Sequence, residues 1–572
     1  MTNPAAAPRS ASPVSAAASH SPVSAAASHS PVSAAASHRP ERVRIFHARA
    51  ITTLAGPQTQ ALAVLAGRIV ATGGLAELSA AFPTADRTDL GDGHVVPGFH
   101  DAHCHPSCLA ETKLRLHLGS GDTSRPPRER IAAAIAATPP GGWVTVEGYD
   151  PRADPGGRLD RAALDALAPG RPVVVIHFSC HMAVANSPAL ELAGFRDGDP
   201  APAGGDLGRD ATGRLDGWIY ERAWFDEWYR AVGEPEFLPS HGIEDLVEPL
   251  AEVCADLHAT GITSWCDALV TPKELRLYQL ASERGRLTAR VGMLLWFRYL
   301  DELRRAGLRA GFGDEWVRVV GVKLMADGAL AGGTCLCSRP YRAETGGDNG
   351  IQVMGDEELA ATVEAAHAAG LRVGVHANGD LAVGKVLDAI ERARALHPRN
   401  TVNHRIEHCS MVDDALIERI RRSGVTPVPF GSFVHGHGAK LIGYYGDERA
   451  ERVCAHRDLL DAGITVAGSS DYPAGPLNPL LAVQTMVTRR TADGRVLGAD
   501  QRLTVAQALE VYTAGSAHAT GESHLKGRLA PGMLADFVVL GASPFDTDPD
   551  GISEIPVRST WVGGRRVWSA ES

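Results

Sequence analysis

Two histidines separated by a single residue lie in the stretch GFHDAHCHP, residues 98–106, which continues the apolar run HVVPGF. Successive side chains of a strand point to opposite faces, so His103 and His105 are predicted to share one face with Asp101, while His100 points to the other. The strand rise separates the two imidazoles by about 7 Å along that face. Two imidazoles at this spacing can converge on one metal ion if the rest of the chain supplies further ligands.

Four more polar residues end apolar runs further along the chain. They are Lys323 in VRVVGVKLMADG, His376 in LRVGVHANGD, His408 in TVNHRIEHCS and Asp471 in ITVAGSSDYP. A buried lysine or aspartate without a partner costs several kcal/mol, so each of them needs a compensating group. One strand-end histidine is more often structural than a ligand, but a bound metal centre explains all six polar residues together.

The elements that would position these residues alternate between helix and strand. The stretches EELAATVEAAHAAG-LRVGVHANGD, DALIERIRRSG-VTPVPFG and RDLLDAG-ITVAGSSD each join an amphipathic helix to an apolar strand through a glycine. This alternation predicts an α/β fold with a parallel sheet, a (β/α)8 (TIM-type) barrel, in which chemistry takes place at the carboxyl ends of the strands. The strand candidates outnumber eight, which predicts an insertion in the barrel at about residues 115–255.

Both ends of the chain differ from this middle part. Short β-rich runs divided by glycine occupy residues 42–98 and 527–572, and they predict one small β-sandwich domain built from both ends, around a barrel at 99–526. Residues 1–41 contain SPVSAAASH three times in tandem. This segment has no apolar periodicity and is predicted to be a disordered low-complexity tail.

Composition narrows the range of functions. The 572 residues include 44% hydrophobic and 22% charged residues, as in an ordinary globular protein. The formal net charge of −11 argues against a nucleic-acid or anionic-membrane partner. No apolar run reaches the roughly 18 residues of a membrane span. The nine scattered cysteines fit reduced thiols, so a cytoplasmic enzyme acting on a small molecule is predicted.

The ordered motifs PGFHDAHCH, KLMADGAL, VHANGD, RIEHCS and GSSDYPAGPLNP resemble the amidohydrolase superfamily. The resemblance points in particular to amidohydrolase family 3, the branch that includes N-substituted formamide deformylase-like enzymes. The stretch KGRLAPGMLADFVVL is similar to the strand with which the family returns to its β-sandwich. The resemblance extends from about residue 42 to 568.

The resemblance implies a binuclear centre with two Zn²⁺ ions per chain. His103 and His105 would hold the more buried ion, with Asp471 alongside, and His376 and His408 would hold the second. Imidazole and carboxylate ligands suit zinc. Relatives are often dimers, so a homodimer is the implied assembly.

The implied reaction depends on two further assignments. Lys323 matches the lysine that CO2 carboxylates in binuclear members, where the carbamate bridges both ions. Asp471 would act as general base and then as general acid while a metal-bridging hydroxide attacks a carbonyl. The implied activity is hydrolysis of the C–N bond of an N-substituted formamide, carbamate, imide or N-acyl compound, and the sequence does not decide among these substrates.

Five residues are candidate substrate contacts by their place relative to these motifs. They are His181 in FSCHMAVANSPAL, Glu221 in WIYERA, Tyr341 and Arg342 after GGTCLCSRP, and His435 in FGSFVHGHGAK. The last stretch is a second His-x-His pair, His435 and His437, and its glycines predict a loop. Glu221 has an alternative interpretation as a surface salt-bridge residue.

Two other functions remain open. Mononuclear deaminases of the same superfamily keep the His-x-His pair and the aspartate but lack the strand-end lysine, so Lys323 favours the binuclear, hydrolytic type. A catalytically inactive scaffold, like the dihydropyrimidinase-related proteins, has lost ligand residues, whereas all six ligand positions are filled here.

Overall fold

The computed structural model of the protein describes residues 42–119, 124–139, 141–228, 238–239, 241–341 and 348–570. The tail predicted for residues 1–41 lies outside this range. The strands of the described part form three separate sheets. No helix in these ranges is both long and apolar enough to cross a membrane.

Seven parallel strands form a nearly closed barrel, which confirms the predicted α/β class. Nearly every position of these strands is buried, as expected where helices cover one face of a parallel sheet and the barrel interior the other. Their carboxyl ends meet at one mouth of the barrel. The strands are Phe99–Cys104, Ile262–Val270, Arg290–Trp296, Val317–Met325, Arg372–Ala377, Arg405–His408 and Thr426–Val428.

An irregular segment, residues 467–471, occupies the place of the eighth strand. Ala467 donates its backbone N–H to Pro427, and Gly468 accepts one from Ala102, so the segment bridges the last and first strands of the barrel. Gly468 is required there because a Cβ atom would lie 2.6 Å from the ring of Tyr512. The barrel is therefore closed by backbone hydrogen bonds without a regular eighth strand.

Helices cover the outside of the barrel and pack on it through one large apolar cluster. The helix Ile243–Ala259 precedes the second barrel strand, and its apolar residues face inward. The other helices that lie between or after barrel strands are Pro106–Thr112, Pro272–Glu283, Leu300–Arg305, Asp356–Ala368, Asp380–Leu396, Asp414–Ser423, Phe433–Tyr445, Asp447–Ala450, His456–Asp461, Pro479–Thr488, Val505–Glu510 and Ser516–Ala519.

A second sheet lies between the first barrel strand and the second in sequence. It mixes parallel and antiparallel pairs, and its strands are Leu116–His117, Val144–Tyr149, Val173–His177, Met182–Ala185, Gly205–Arg209 and Leu215–Glu221. Its helices are Pro127–Ala137, Arg161–Leu167, Ser187–Ala193 and Arg222–Trp228. We call this part the inserted sheet.

The third sheet joins the two ends of the chain. Phe537–Leu540 pairs antiparallel with His94–Pro97, which leads directly into the first barrel strand. The sheet is continued by Arg44–Ile51, Thr59–Leu65, Arg68–Gly73 and Asp86–Asp89 on one side and by Val557–Val562 and Arg565–Ser569 on the other, with the helix Leu75–Ala81 beside it.

Candidate metal centre

The first three predicted ligands meet at the mouth of the barrel. His103 lies near the end of the first strand, His105 directly precedes the helix Pro106–Thr112, and Asp471 ends the irregular segment. The Oδ1 atom of Asp471 lies 3.2 Å from Nε2 of His105 and 3.5 Å from Nε2 of His103. One ligand atom from each residue lies within 4.8 Å of the other two, which is a spacing that one metal ion can bridge.

His103 is oriented by a carboxylate that sequence reasoning did not single out. Its Nδ1 atom lies 2.5 Å from Oε2 of Glu407, which is fully buried inside the barrel. Arg405 donates two hydrogen bonds to the same carboxylate, and both side chains are inaccessible to solvent. A carboxylate behind a histidine fixes the tautomer in which Nε2 carries the lone pair, as in metal-binding histidines.

The other three predicted ligands lie beside this group. Lys323, His376 and His408 lie at or within two residues of the ends of three neighbouring barrel strands. The imidazole centroids of His376 and His408 are 4.2 Å apart, and His408 lies 5.2 Å from His103. All six predicted ligands line one cavity.

Burial controls the charge of this cluster. It lowers the pKa of His103, His376 and His408 well below the usual histidine value, and neighbouring imidazoles and Lys323 act in the same direction. Burial also lowers the pKa of Lys323 to about 8, against the opposite effect of the negative charges of Glu407 and Asp471. The three histidines are therefore neutral at pH 7, which is the form that coordinates metals.

Two buried nitrogen atoms in the cluster test whether a metal fits. Nε2 of His103 and Nδ1 of His408 are buried and make no hydrogen bond within the part of the chain that the structure describes. A buried polar atom without a partner costs about 1–3 kcal/mol. Neutral imidazoles and a carboxylate are the ligand types that zinc prefers. The residues present thus fit a metal centre.

The strand alternation predicted for GFHDAHCHP fails at Asp101. Its carboxylate accepts hydrogen bonds from Ser470 and Tyr512 and does not line the cavity. His100 is buried, neither of its ring nitrogens has a hydrogen bond among the residues that the structure describes, and its charged neighbours are Lys526 and Arg405. The pairing of this strand with Ile262–Val270 shifts register twice, which breaks the two-residue period on which the prediction relied.

The candidate substrate contacts separate into two groups. His181 lines the cavity, and Glu221 lies directly behind it with Oε2 2.8 Å from Nδ1 of His181. Glu221 is fully buried, so its interpretation as a surface salt-bridge residue is wrong. Both come from the inserted sheet, which therefore contributes to the cavity.

Tyr341 and His435 do not line the cavity. Tyr341 is buried beside Tyr445 and donates its hydroxyl hydrogen to the carbonyl of Cys335. His435 is only partly buried and lies on the helix Phe433–Tyr445, so the loop predicted for this stretch is wrong. Apolar residues of this helix pack into a buried cluster, and that packing outweighs the low helix propensity of its glycines. Arg342 lies outside the described residues.

A buried charge pair was the main feature missed from the sequence. Arg405 and Glu407 alternate in RIEH and point into the barrel, where a charged side chain is expensive without a partner. Their two-residue spacing in an otherwise buried strand was a signal that could have identified them. What could not be seen is that His103, about 300 residues earlier, is the group that this pair supports.

Comparison with known proteins gives consistent similarities. A sequence profile of the amidohydrolase family matches residues 87–568. The chain is 30% identical to the protein YtcJ of Bacillus subtilis over 537 residues, which cover 92% of this chain and 99% of that protein. It is 29% identical to an N-substituted formamide deformylase of Arthrobacter pascens over 535 residues, 88% of this chain and 94% of the deformylase.

Among solved structures, an uncharacterized metal-dependent hydrolase from Pyrococcus horikoshii has a similar fold. The TM-score is 0.71 at 26% sequence identity, and the superposition covers 89% of this chain and 99% of the other. At this coverage the similarity extends beyond the barrel into the inserted sheet and into the third sheet, which joins the two ends of the chain.

Proposed function

The chain belongs to the amidohydrolase family and is a hydrolase of C–N bonds, and from this premise we propose that it hydrolyses a small uncharged amide at a centre of two Zn²⁺ ions. The observation that carries the proposal is the convergence of the six predicted ligands on one cavity, where buried nitrogens of His103 and His408 make no hydrogen bond to any residue that the structure describes. A metal centre provides the partners that these atoms lack.

Each ion would have its own set of ligands. His103, His105 and Asp471 would hold the first ion, and His376 and His408 the second. When bound, such ions polarise a carbonyl oxygen and lower the pKa of water. Lys323 would bridge both sets as a carbamate, because an ammonium group at this place would repel the cations whereas a carbamate supplies two oxygen ligands.

Asp471 is the residue proposed to move the proton. Its carboxylate lies in the cavity within 3.5 Å of two histidine Nε2 atoms and retains a second oxygen for other contacts. It would accept the proton of the attacking water and deliver it to the nitrogen that leaves, as a general base and then a general acid. Glu407 and Arg405 hold His103 in place while this happens.

The cavity wall favours an uncharged substrate with an apolar substituent. Among the described lining residues, Lys323 and Asp471 are the only lysine, arginine or acidic side chains. Both belong to the six predicted ligands, which we call the metal cluster. Phe225, Leu269 and Met325 supply an apolar surface. This lining fits a formamide, carbamate or imide better than an N-acyl amino acid, whose carboxylate would need a cationic partner.

The proposal is tested with the full chain produced in medium supplemented with zinc and bicarbonate. Metal analysis should give two zinc ions per chain, and a panel of N-substituted formamides, carbamates and imides should contain hydrolysed members. Asp471→Asn should lower kcat by about 10²–10⁴-fold with the fold retained. A protein without stoichiometric metal, or without amide hydrolysis when loaded, would contradict the proposal.

A mononuclear deaminase is the second candidate. It is favoured by the compactness of the group formed by His103, His105 and Asp471, which alone among the described residues meets the spacing expected for one metal ion. One metal ion per chain together with release of ammonia from an amino-substituted ring would favour this candidate over the binuclear hydrolase.

A further inference from the structure

His181 brings a polar atom from the inserted sheet into the cavity. It lies in the connection between the strands Val173–His177 and Met182–Ala185. Its ring packs edge-on against Phe225, with centroids 5.3 Å apart, and lies 4.9 Å from the ring of His376. The imidazole is therefore fixed in position next to the metal cluster.

A chain of hydrogen bonds determines which nitrogen of His181 carries the hydrogen. The backbone N–H of Ala329 donates to Oγ1 of Thr334 at 2.9 Å, and this hydroxyl donates to Oε1 of Glu221 at 2.7 Å. Oε2 of the same carboxylate lies 2.8 Å from Nδ1 of His181. A carboxylate only accepts, so Nδ1 is the donor, and in an imidazole with one hydrogen this leaves the lone pair on Nε2.

The backbone around this pair is built to hold it. Glu221 is fully buried and has a φ of +49°, a left-handed conformation that is unusual for glutamate, and its N–H donates to the carbonyl of His181 at 2.9 Å. Gly328 lies against the carboxylate so closely that a Cβ atom would be 2.6 Å from Oε1 of Glu221. The position of Glu221 is thus fixed from both sides, as expected of a positioning residue.

The other polar side chains of the cavity wall are weaker hydrogen-bond acceptors than Nε2 of His181. Outside the six predicted ligands and His181, the described lining residues with polar or sulfur atoms are Ser179, Cys108, Cys180 and Met325, and the thioether of Met325 is a weak acceptor. The hydroxyl of Ser179 is engaged with His177 and with the backbone of His181. Burial raises the pKa of both thiols above the usual value, so they stay protonated and accept hydrogen bonds poorly.

We propose that Nε2 of His181 accepts a hydrogen bond from the N–H of the scissile amide, so that the enzyme selects amides that carry an N–H over fully N-substituted ones. The inference rests on the proposed function. An amide whose carbonyl faces the metal cluster has its nitrogen one bond away, and His181 borders that cluster beside His376. Glu221 acts through His181 as a positioning residue.

The test compares matched pairs of substrates, an N-alkylformamide and its N-methyl-N-alkyl analogue. The wild-type protein should show kcat/KM about ten- to a hundredfold higher for the member with the N–H, since the analogue leaves the lone pair of Nε2 without a donor. Equal values for both members would overturn the inference while the hydrolysis itself upheld the proposed function. Hydrolysis of neither member, nor of any other amide, would reject both.

The variant Glu221→Gln distinguishes selectivity that arises from the hydrogen bond to Nε2 from selectivity that arises from steric exclusion of the extra methyl group. Thr334 holds the amide oxygen of the new side chain, so its NH2 group faces Nδ1 of His181 and moves the imidazole hydrogen to Nε2. The selectivity ratio should then fall towards one, whereas a steric preference would stay unchanged and would overturn the inference. Glu522→Gln, another buried carboxylate that does not line the cavity, is the matched control and should keep the ratio.

A readout independent of turnover completes the test. Nitrogen-15 NMR of histidine-labelled protein distinguishes an imidazole nitrogen with a lone pair from one with a bound hydrogen, and His181→Gln identifies the resonance. We expect Nε2 of His181 to be unprotonated in the wild-type protein and protonated in Glu221→Gln. A bound hydrogen on Nε2 in the wild-type protein would overturn the inference.

Discussion

The two His-x-His pairs of this chain have the same spacing in sequence, but only one of them lines the cavity in the structure. His103 and His105 lie at the end of a barrel strand and both line the cavity. His435 and His437 lie on the helix Phe433–Tyr445, where neither lines it. Residues two apart are turned by about 200° around a helix, so such a pair cannot converge on one ion.

The surroundings differ as much as the secondary structure. His103 has a buried carboxylate behind it and Asp471 in front of it. His437 also has a buried nitrogen without a hydrogen bond in the described part of the chain, but the rings of Phe178 and Phe433 pack against it. A partnerless nitrogen therefore indicates a metal site only where other ligand atoms converge on it.

From this comparison we expect the largest effect on metal affinity and hydrolysis for His105→Ala. Removing this ligand should lower metal affinity by more than the 10- to 100-fold typical of losing an outer partner, and hydrolysis should fall with it. Metal titration followed by activity assays checks this. His435→Ala is the matched control and should change neither, with stability within about 0.5 kcal/mol of the wild type. Equal losses in the two variants would reject the distinction between the pairs.

The second largest effect on metal affinity is expected for Glu407→Gln, which changes the carboxylate that holds His103 of the first pair. The variant loses the charge that holds Nδ1 of His103, so metal affinity should fall about 10- to 100-fold. Competition with a chelator measures the change. Glu522→Gln breaks another buried ion pair, with Lys526, and should lower the unfolding temperature without changing metal affinity. An unchanged affinity in Glu407→Gln would show that the carboxylate does not support the ligand.

The smallest expected effect is on the folding stability of the protein, through His437 of the second pair. Burial lowers the pKa of His437 to about 3, against about 6.5 in an unfolded chain. Between these values the unfolded chain binds a proton at this histidine that the folded protein does not. The contribution of His437 to stability is therefore fully present above about pH 6.5 and is lost as the pH decreases. The loss attributable to His437 is about 2 kcal/mol at pH 5.

His437→Gln should therefore flatten the acid side of the stability curve relative to the wild type. Urea unfolding of both proteins between pH 5 and 8 measures the difference. Parallel curves for wild type and His437→Gln would show that His437 does not titrate on unfolding.

Much of the site could be predicted because it depends on local patterns. Apolar runs that end in a polar residue mark strand ends, and parallel strands bring their carboxyl ends to one mouth. That reasoning selected Lys323, His376, His408 and Asp471, and the structure places all of them at one cavity with the His-x-His pair. The family that these motifs indicated is confirmed.

The errors came from places where local patterns compete with packing. Asp101 left the predicted face because register shifts interrupt the strand. Glycines predicted a loop at His435, but the apolar residues around them pack as a helix. The eighth strand is irregular, although its hydrogen bonds to both neighbours close the barrel.

The sequence by itself determined the residue types of the proposed ligands, the strand ends near which most of them lie and the barrel that brings them together, because hydrophobic periodicity and strand direction are local properties of the chain. Only the tertiary structure decided which buried side chains orient the histidines of the cavity. Glu407 supports His103 across about 300 residues, and Glu221 orients His181 from another strand of the inserted sheet. Such partners are chosen by proximity and by the cost of burying an unpaired polar atom, which the folded chain alone settles.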